Sequence, residues 1–203
     1  MIIKVCGMRD EENIRELEQL DIDWMGFIFY SGSPRYVGPK LSYLSKRQKK
    51  IGVFVNQDPQ YVRNCAVENH LDAIQLHGSE SPNYCKELQK EGFDVIKSFG
   101  IDIDGKIPTD QLIEYEGSCS FFLFDTKTKQ HGGSGKRFNW ERLAHYKGET
   151  PFILSGGISS EDAEEIKLFN HPKFAGIDIN SRFEIEPANK NIEMIKSFVK
   201  QLR

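Results

Sequence analysis

Eight short apolar runs recur along the 203-residue chain, and their spacing limits the fold more than any other feature. They read IIKVCG (2–7), WMGFIFY (24–30), IGVFVN (51–56), AIQLHG (73–78), VIKSFG (95–100), FFLFDT (121–126), FILSGG (152–157) and AGIDIN (175–180). Most are rich in Ile, Val and Phe and close on glycine or a polar residue. Continuous apolar runs of this length mark strands covered on both faces, as in a parallel sheet.

Helical patterns fill the intervals. Glu11–Leu20 follows a good N-cap, Asp10, and carries Ile14, Leu17 and Leu20 at helical spacing. Pro39–Gln48 and Asp58–His70 carry proline near their starts, and Ser81–Glu91 ends before Gly92. Thr109–Glu116 has room for only two turns. Ser159–Phe169 opens on Ser-Ser-Glu-Asp, and Asn189–Leu202 aligns Ile192, Ile195, Val199 and Leu202 on one stripe. Strand and helix alternate roughly every 20–30 residues. That alternation predicts an α/β fold, a single (β/α)8 barrel domain over residues 1–203, with an open doubly wound sheet as the alternative.

A barrel of this type carries its chemistry at the C-terminal ends of its strands. The first run ends at Cys6, which is either a buried small hydrophobe or, as thiolate, a nucleophile or base. The sixth ends at Asp125 after four apolar residues; such a setting raises a carboxyl pKa, although backbone N–H groups of its own loop are an equally good reason for an acid there. The seventh and eighth lead into Gly156-Gly157 and Asn180-Ser181. Backbone N–H groups at such turns bind phosphate, so a phosphorylated substrate is expected. Arg35, behind Pro34, is suited to grip a carboxylate but also fits a surface loop. Gly132-Gly133-Ser134-Gly135 forms a flexible or anion-cradling turn. Asp178 and His77 also lie near strand ends, the former as a site-shaping residue and the latter as a structural one.

The bulk properties narrow the partners. Net charge is −3, the isoelectric point is about 6.0, and no Lys/Arg block is long enough to track nucleic acid. The longest apolar stretch is too short to span a bilayer, and no signal peptide is visible. The four cysteines show no CxxC or zinc-like spacing, which points to free thiols in the cytoplasm and to no metal site. A monomer is the default state, with a homodimer as the alternative.

Taken together, KVCGM (4–8), GFIFYSGSPRYV (26–37), GVFVN (52–56), QLHGSE (75–80), LFDTKT with GGSGKRFNW (123–140), LSGGI (154–158) and GIDINSRFE (176–184) resemble, in order and over nearly the whole chain, the phosphoribosylanthranilate isomerases. The resemblance implies a (β/α)8 barrel that performs an Amadori rearrangement of a phosphorylated aminosugar in tryptophan biosynthesis, with no cofactor. Carried onto matching positions, it implies Cys6 as general base, Asp125 as general acid and Arg35 as the grip on the anthranilate carboxylate. Gly156, Gly157, Asn180 and Ser181 would hold the phosphate, and the loop containing Gly133 and Gly135 would close over the site. Two positions depart from the family pattern: Met8-Arg9 after the Cys-Gly pair, and Arg182 where the family commonly has glycine. Neighbouring phosphosugar barrels fit less well. A synthase would need a lysine, for which Lys4 and Lys97 are candidates, together with an acidic set that does not appear. An idle scaffold barrel would not need both Cys6 and Asp125.

Overall fold

Eight parallel strands close on themselves in chain order. They are β1 (Ile2–Cys6), β2 (Trp24–Ile28), β3 (Lys49–Phe54), β4 (Ala73–Leu76), β5 (Asp94–Ile101), β6 (Phe121–Thr126), β7 (Phe152–Leu154) and β8 (Phe174–Ile179), and β8 pairs with β1 to complete the barrel. The structure, a computed structural model, describes residues 1–127 and 137–203. Among the described residues, six α-helices lie outside: α1 (Glu11–Leu17), α2 (Pro59–Glu68), α3 (Pro82–Lys90), α4 (Thr109–Tyr115), α5 (Ala163–Leu168) and α6 (Ile192–Leu202). Among the described residues, no helix is long and apolar enough to cross a membrane.

The helix starts follow from local chemistry. Asp58 accepts the N–H groups of Gln60 and Tyr61 at the start of α2, and Ser81 accepts that of Tyr84 at the start of α3, each with proline in the first turn. Asp10 stands at the N-cap of α1 without a capping bond from its side chain. Ser159 and Asp162 form a reciprocal capping box, but the first turn there is a 3-10 helix (Ser160–Asp162) before α5 begins.

The expected helix over 39–48 does not form; the segment is a run of bends. Its backbone groups and hydroxyls find the C-cap side chains of α1 and α2 instead of each other. Asn69 accepts the Leu41 N–H and donates to the Pro39 carbonyl, while Glu18 accepts the Lys46 N–H and the hydroxyls of Tyr43 and Ser45. These bonds outcompete an isolated ten-residue helix, which is marginal by itself. The last helix also starts later than the sequence pattern implies. Asn191 caps it, and residues 189–190 instead form β10 (Asn189–Lys190), paired antiparallel with β9 (Glu184–Glu186) in a small hairpin outside the barrel.

The strand period of two sorts the barrel residues into two cores. One set, including Val5, Phe27, Phe54, Phe122, Phe124 and Ile177, packs outward beneath the helices. The inward set changes character along the barrel axis. At the N-terminal end Trp24, Ile51, Ala73, Ile96, Leu123 and Ile153 form a separate apolar plug. Two positions beyond the plug residues of β4 to β7 come Gln75, Ser98, Asp125 and Ser155, joined by Lys4 of β1 and Asp178 of β8. The plug therefore seals one end and leaves the polar layer at the other.

Leu123 is fully buried in this plug. Leu123→Ala is expected to cost about 2–5 kcal/mol in urea unfolding, because rigid strands on all sides cannot collapse into the cavity.

Candidate active site

An open cleft of about 850 Å³ sits over the polar layer. Cys6, Arg35, Asp125, Gly156, Gly157, Asp178, Asn180 and Ser181 all line it, so residues up to 175 positions apart in sequence meet at one mouth. Gly133 and Gly135 lie outside the described residues. The described residues contain no group of His, Cys, Asp or Glu arranged to hold a metal ion.

Cys6 ends β1 directly opposite Gly26 of β2. A Cβ at position 26 would stand 2.7 Å from the Cys6 Sγ, so a glycine there is what lets the thiol occupy its place. The next residue, Gly7, takes φ +81°, and a Cβ on it would lie 2.6 Å from Arg35 Cδ and 2.8 Å from Asn180 Oδ1. Gly7 thus turns the chain and lets two other cleft residues cross it.

Two charges buried beneath the thiol form an ion pair. Lys4 Nζ lies 2.9 Å from Asp178 Oδ1, and both side chains are buried. Burial alone would push the Lys4 ammonium down; Asp178 and Cys6 outweigh it and hold it above its ordinary value. Burial pushes the Cys6 thiol up, with Asp178 adding to the effect and Lys4 and Lys190 opposing it. Burial also raises the Asp178 carboxyl against the pull of Lys4.

Asp125 faces them from β6. Burial and the nearby Asp178 charge push its carboxyl up to about 6, although the Thr126 N–H donates to its Oδ1 at 2.8 Å. His77 Nε2 stands 3.5 Å from Asp125 Oδ2, and its Nδ1 is 3.2 Å from Gln75 Nε2. The sequence reading gave His77 a structural role, yet it lies in the cleft wall against the acid.

Arg35 sits at the mouth, 7% exposed, and is not a surface arginine. Its Nε and Nη2 donate to both oxygens of Glu184 at 2.6–3.1 Å. Lys190 Nζ donates to Glu184 Oε1 and to Asn180 Oδ1, each at 2.7 Å. Burial would raise the Glu184 carboxyl, but Arg35 and Lys190 hold it below the usual range. Sequence reasoning assigned neither Glu184 nor Lys190 a role. Their only signal is a Glu and a Lys facing each other across a turn of Pro187-Ala188, where a helix was expected to begin.

Gly156 and Gly157 both take left-handed backbone, with φ +83° and +74°. Across the mouth, Asn180 precedes a 3-10 turn at Ser181–Phe183. Arg182 lines the same end of the cleft.

Comparison with known proteins agrees with this geometry. The model of the family described as N-(5'phosphoribosyl)anthranilate (PRA) isomerase matches residues 3–201. The N-(5'-phosphoribosyl)anthranilate isomerase of Parabacteroides distasonis is 51% identical, over 100% of this chain and 93% of its own length. Two solved structures each cover 100% of this chain and 98% of their own with a TM-score of 0.82. One, 26% identical, is a phosphoribosyl anthranilate isomerase in complex with reduced 1-(o-carboxyphenylamino)-1-deoxyribulose 5-phosphate. The other, 27% identical, shows monomers generated from the dimeric phosphoribosylanthranilate isomerase of Thermotoga maritima.

The raised carboxyl has a stability consequence. Between the ordinary value of 3.8 and about 6, the native state binds more protons at Asp125 than the unfolded chain does. Stability therefore falls as pH rises through that window, by at most about 3 kcal/mol. Asp125→Asn removes this penalty. Urea unfolding is expected to show a gain of about 1–3 kcal/mol at pH 7.5 and a much smaller one at pH 4.

Proposed function

The chain belongs to the N-(5'-phosphoribosyl)anthranilate isomerase family, and from that premise we propose how its residues carry out the reaction. The reaction is the Amadori rearrangement of N-(5'-phosphoribosyl)anthranilate to 1-(2-carboxyphenylamino)-1-deoxyribulose 5-phosphate in tryptophan biosynthesis.

Asp125 acts as the general acid and Cys6 as the general base. Asp125 protonates the furanose ring oxygen, and the lone pair of the anilino nitrogen opens the ring to an iminium. Cys6 thiolate then removes the proton from C2. The C2–H electron pair moves into a C1–C2 double bond and neutralises the iminium; the resulting enolamine takes a proton at C1 and releases the proton of its C2 hydroxyl to become the ketone. The electron source is the substrate's own nitrogen. The observation that carries this assignment is the pairing, in one cleft, of a carboxyl raised to about 6 with a thiol beside the Lys4 ammonium. A carboxyl so raised is a competent donor near neutral pH, and the neighbouring cations favour the thiolate.

Arg35 meets the anthranilate carboxylate. Gly156, Gly157, Asn180 and Ser181 hold the phosphate, and Asp178 shapes the site by fixing Lys4 beneath the thiol. The chain acts as one domain and in the cytoplasm, a reading supported by four free, buried cysteines. It acts as a monomer, a reading supported by the exposed large hydrophobics of the described residues, Met1, Val67, Ile103, Ile113, Leu168 and Ile185, which are scattered along the chain. A single monomer mass in sedimentation equilibrium is expected; a dimer mass would refute this state.

Cys6→Ala and Asp125→Asn are each expected to lower turnover by about 10²–10⁴-fold, followed by loss of the substrate's anthranilate-type fluorescence. The active form holds a proton on Asp125 and none on Cys6. Its population is level between the two pKa values and falls on either side, so wild-type activity should drop below about pH 6. In Asp125→Asn that lower break should vanish and the residual rate should climb with pH until Cys6 is ionised. Comparing the two proteins cancels the titration of the substrate phosphate. A lower break that survives in the variant would remove Asp125 from its role.

A further inference from the structure

Arg35 poses an electrostatic problem. An arginine already bidentate on a carboxylate is close to neutral as a pair, and a second carboxylate approaching it meets the first as a repelling charge. Glu184 occupies Nε and Nη2 of Arg35 and leaves Nη1 without a hydrogen bond among the described residues.

Lys190 changes that balance. Its side chain is buried, and its ammonium contacts Glu184 Oε1 and Asn180 Oδ1, both at 2.7 Å. Burial pushes the Lys190 amine below its ordinary value and Glu184 opposes that shift; two oxygen acceptors at 2.7 Å, one of them a carboxylate, favour the ammonium. Two cations then share one carboxylate, and the cluster keeps a surplus positive charge on the Arg35 side. Nor is the lysine placed by chance. Asn13 of α1 accepts its backbone N–H at 2.8 Å and donates to its carbonyl at 3.0 Å, while the Ala188 N–H fixes the same Glu184 oxygen. The β9–β10 hairpin lies outside the barrel, and its outcome is to carry Glu184 and Lys190 to the cleft.

We propose that Lys190 is a positioning residue whose charge keeps Arg35 able to accept an anion while Glu184 holds it, so that the Arg35–Glu184–Lys190 triad selects substrates bearing a carboxylate on the aromatic amine. The proposal rests on the reading that Arg35 meets the substrate carboxylate. Glu184 orients the guanidinium, and Lys190 offsets the charge that the orientation costs.

The test uses two ligands, reduced 1-(o-carboxyphenylamino)-1-deoxyribulose 5-phosphate and its counterpart without the ring carboxyl, titrated calorimetrically into wild type, Lys190→Met, Lys190→Met/Glu184→Gln and Arg35→Met. Lys190→Met should weaken the carboxylate ligand at least about tenfold and the carboxyl-free ligand by less than about threefold. The double variant restores the surplus charge and should return to within about threefold of wild type. Equal losses for both ligands, or a double variant no better than Lys190→Met, would overturn the proposal. Arg35→Met separates the two layers of argument. If Arg35→Met weakens both ligands equally, the Arg35 reading falls; if it weakens the carboxylate ligand selectively and Lys190→Met does not, only the role of Lys190 falls. Should Lys190→Met not fold, Lys190→Gln, which keeps hydrogen bonding and removes the charge, is read the same way. If neither folds, the lysine is structural and the proposal is refuted.

Discussion

The ion pair between Lys4 and Asp178 spans the seam at which the barrel closes. Lys4 belongs to the first strand and Asp178 to the last; they are partners in the register of β1 and β8, and their charged atoms meet at 2.9 Å. A buried charge without a partner costs several kcal/mol, so each of these residues requires the other to be in place. Only a closed sheet satisfies that requirement. Replacing such a pair by apolar residues often leaves a protein equally stable, which indicates that its value here lies in what it imposes on its surroundings. It sets a cation beneath Cys6 and an anion within reach of Asp125.

From that pair the electrostatics of the cleft unfold. The Asp178 charge adds to burial in raising Asp125, and the Lys4 charge works against burial at Cys6. The Asp178 half of the pair thus favours the protonated acid, while the Lys4 half, with Lys190, opposes the burial and the Asp178 charge that hold the Cys6 thiol above its ordinary value. A second buried cluster, Arg35–Glu184–Lys190, stands at the mouth and joins the first through Lys190, which faces Cys6 as well as Asn180. The apolar plug below closes the opposite end of the barrel, keeping these charges in a poorly hydrated interior where they act strongly.

The strands were legible because a parallel barrel buries both faces of each one, and that burial writes continuous apolar runs into the chain. Cys6 and Asp125 were legible because they interrupt or end such runs. The segment at 39–48 was not, because its conformation is decided by Glu18 and Asn69, C-cap side chains of helices far from it in sequence. Lys190 and Glu184 were hidden for a related reason: in a polar stretch a Lys and a Glu look solvated, and only tertiary contacts reveal that both are buried. Arg35 was visible as a carboxylate grip, but its engagement with Glu184, 149 residues away, was not.

By itself, then, the sequence determined the eightfold alternation, the address of Cys6 and Asp125 at strand ends, and the glycine turns after the seventh and eighth strands. These are local or periodic properties, written within a few residues of one another. The tertiary structure alone decided which charges face each other, since pairing depends on strand register and barrel closure, and it decided the direction in which the acid and the thiol are shifted. Those shifts follow from burial and from charges brought within a few ångströms by residues that are distant along the chain.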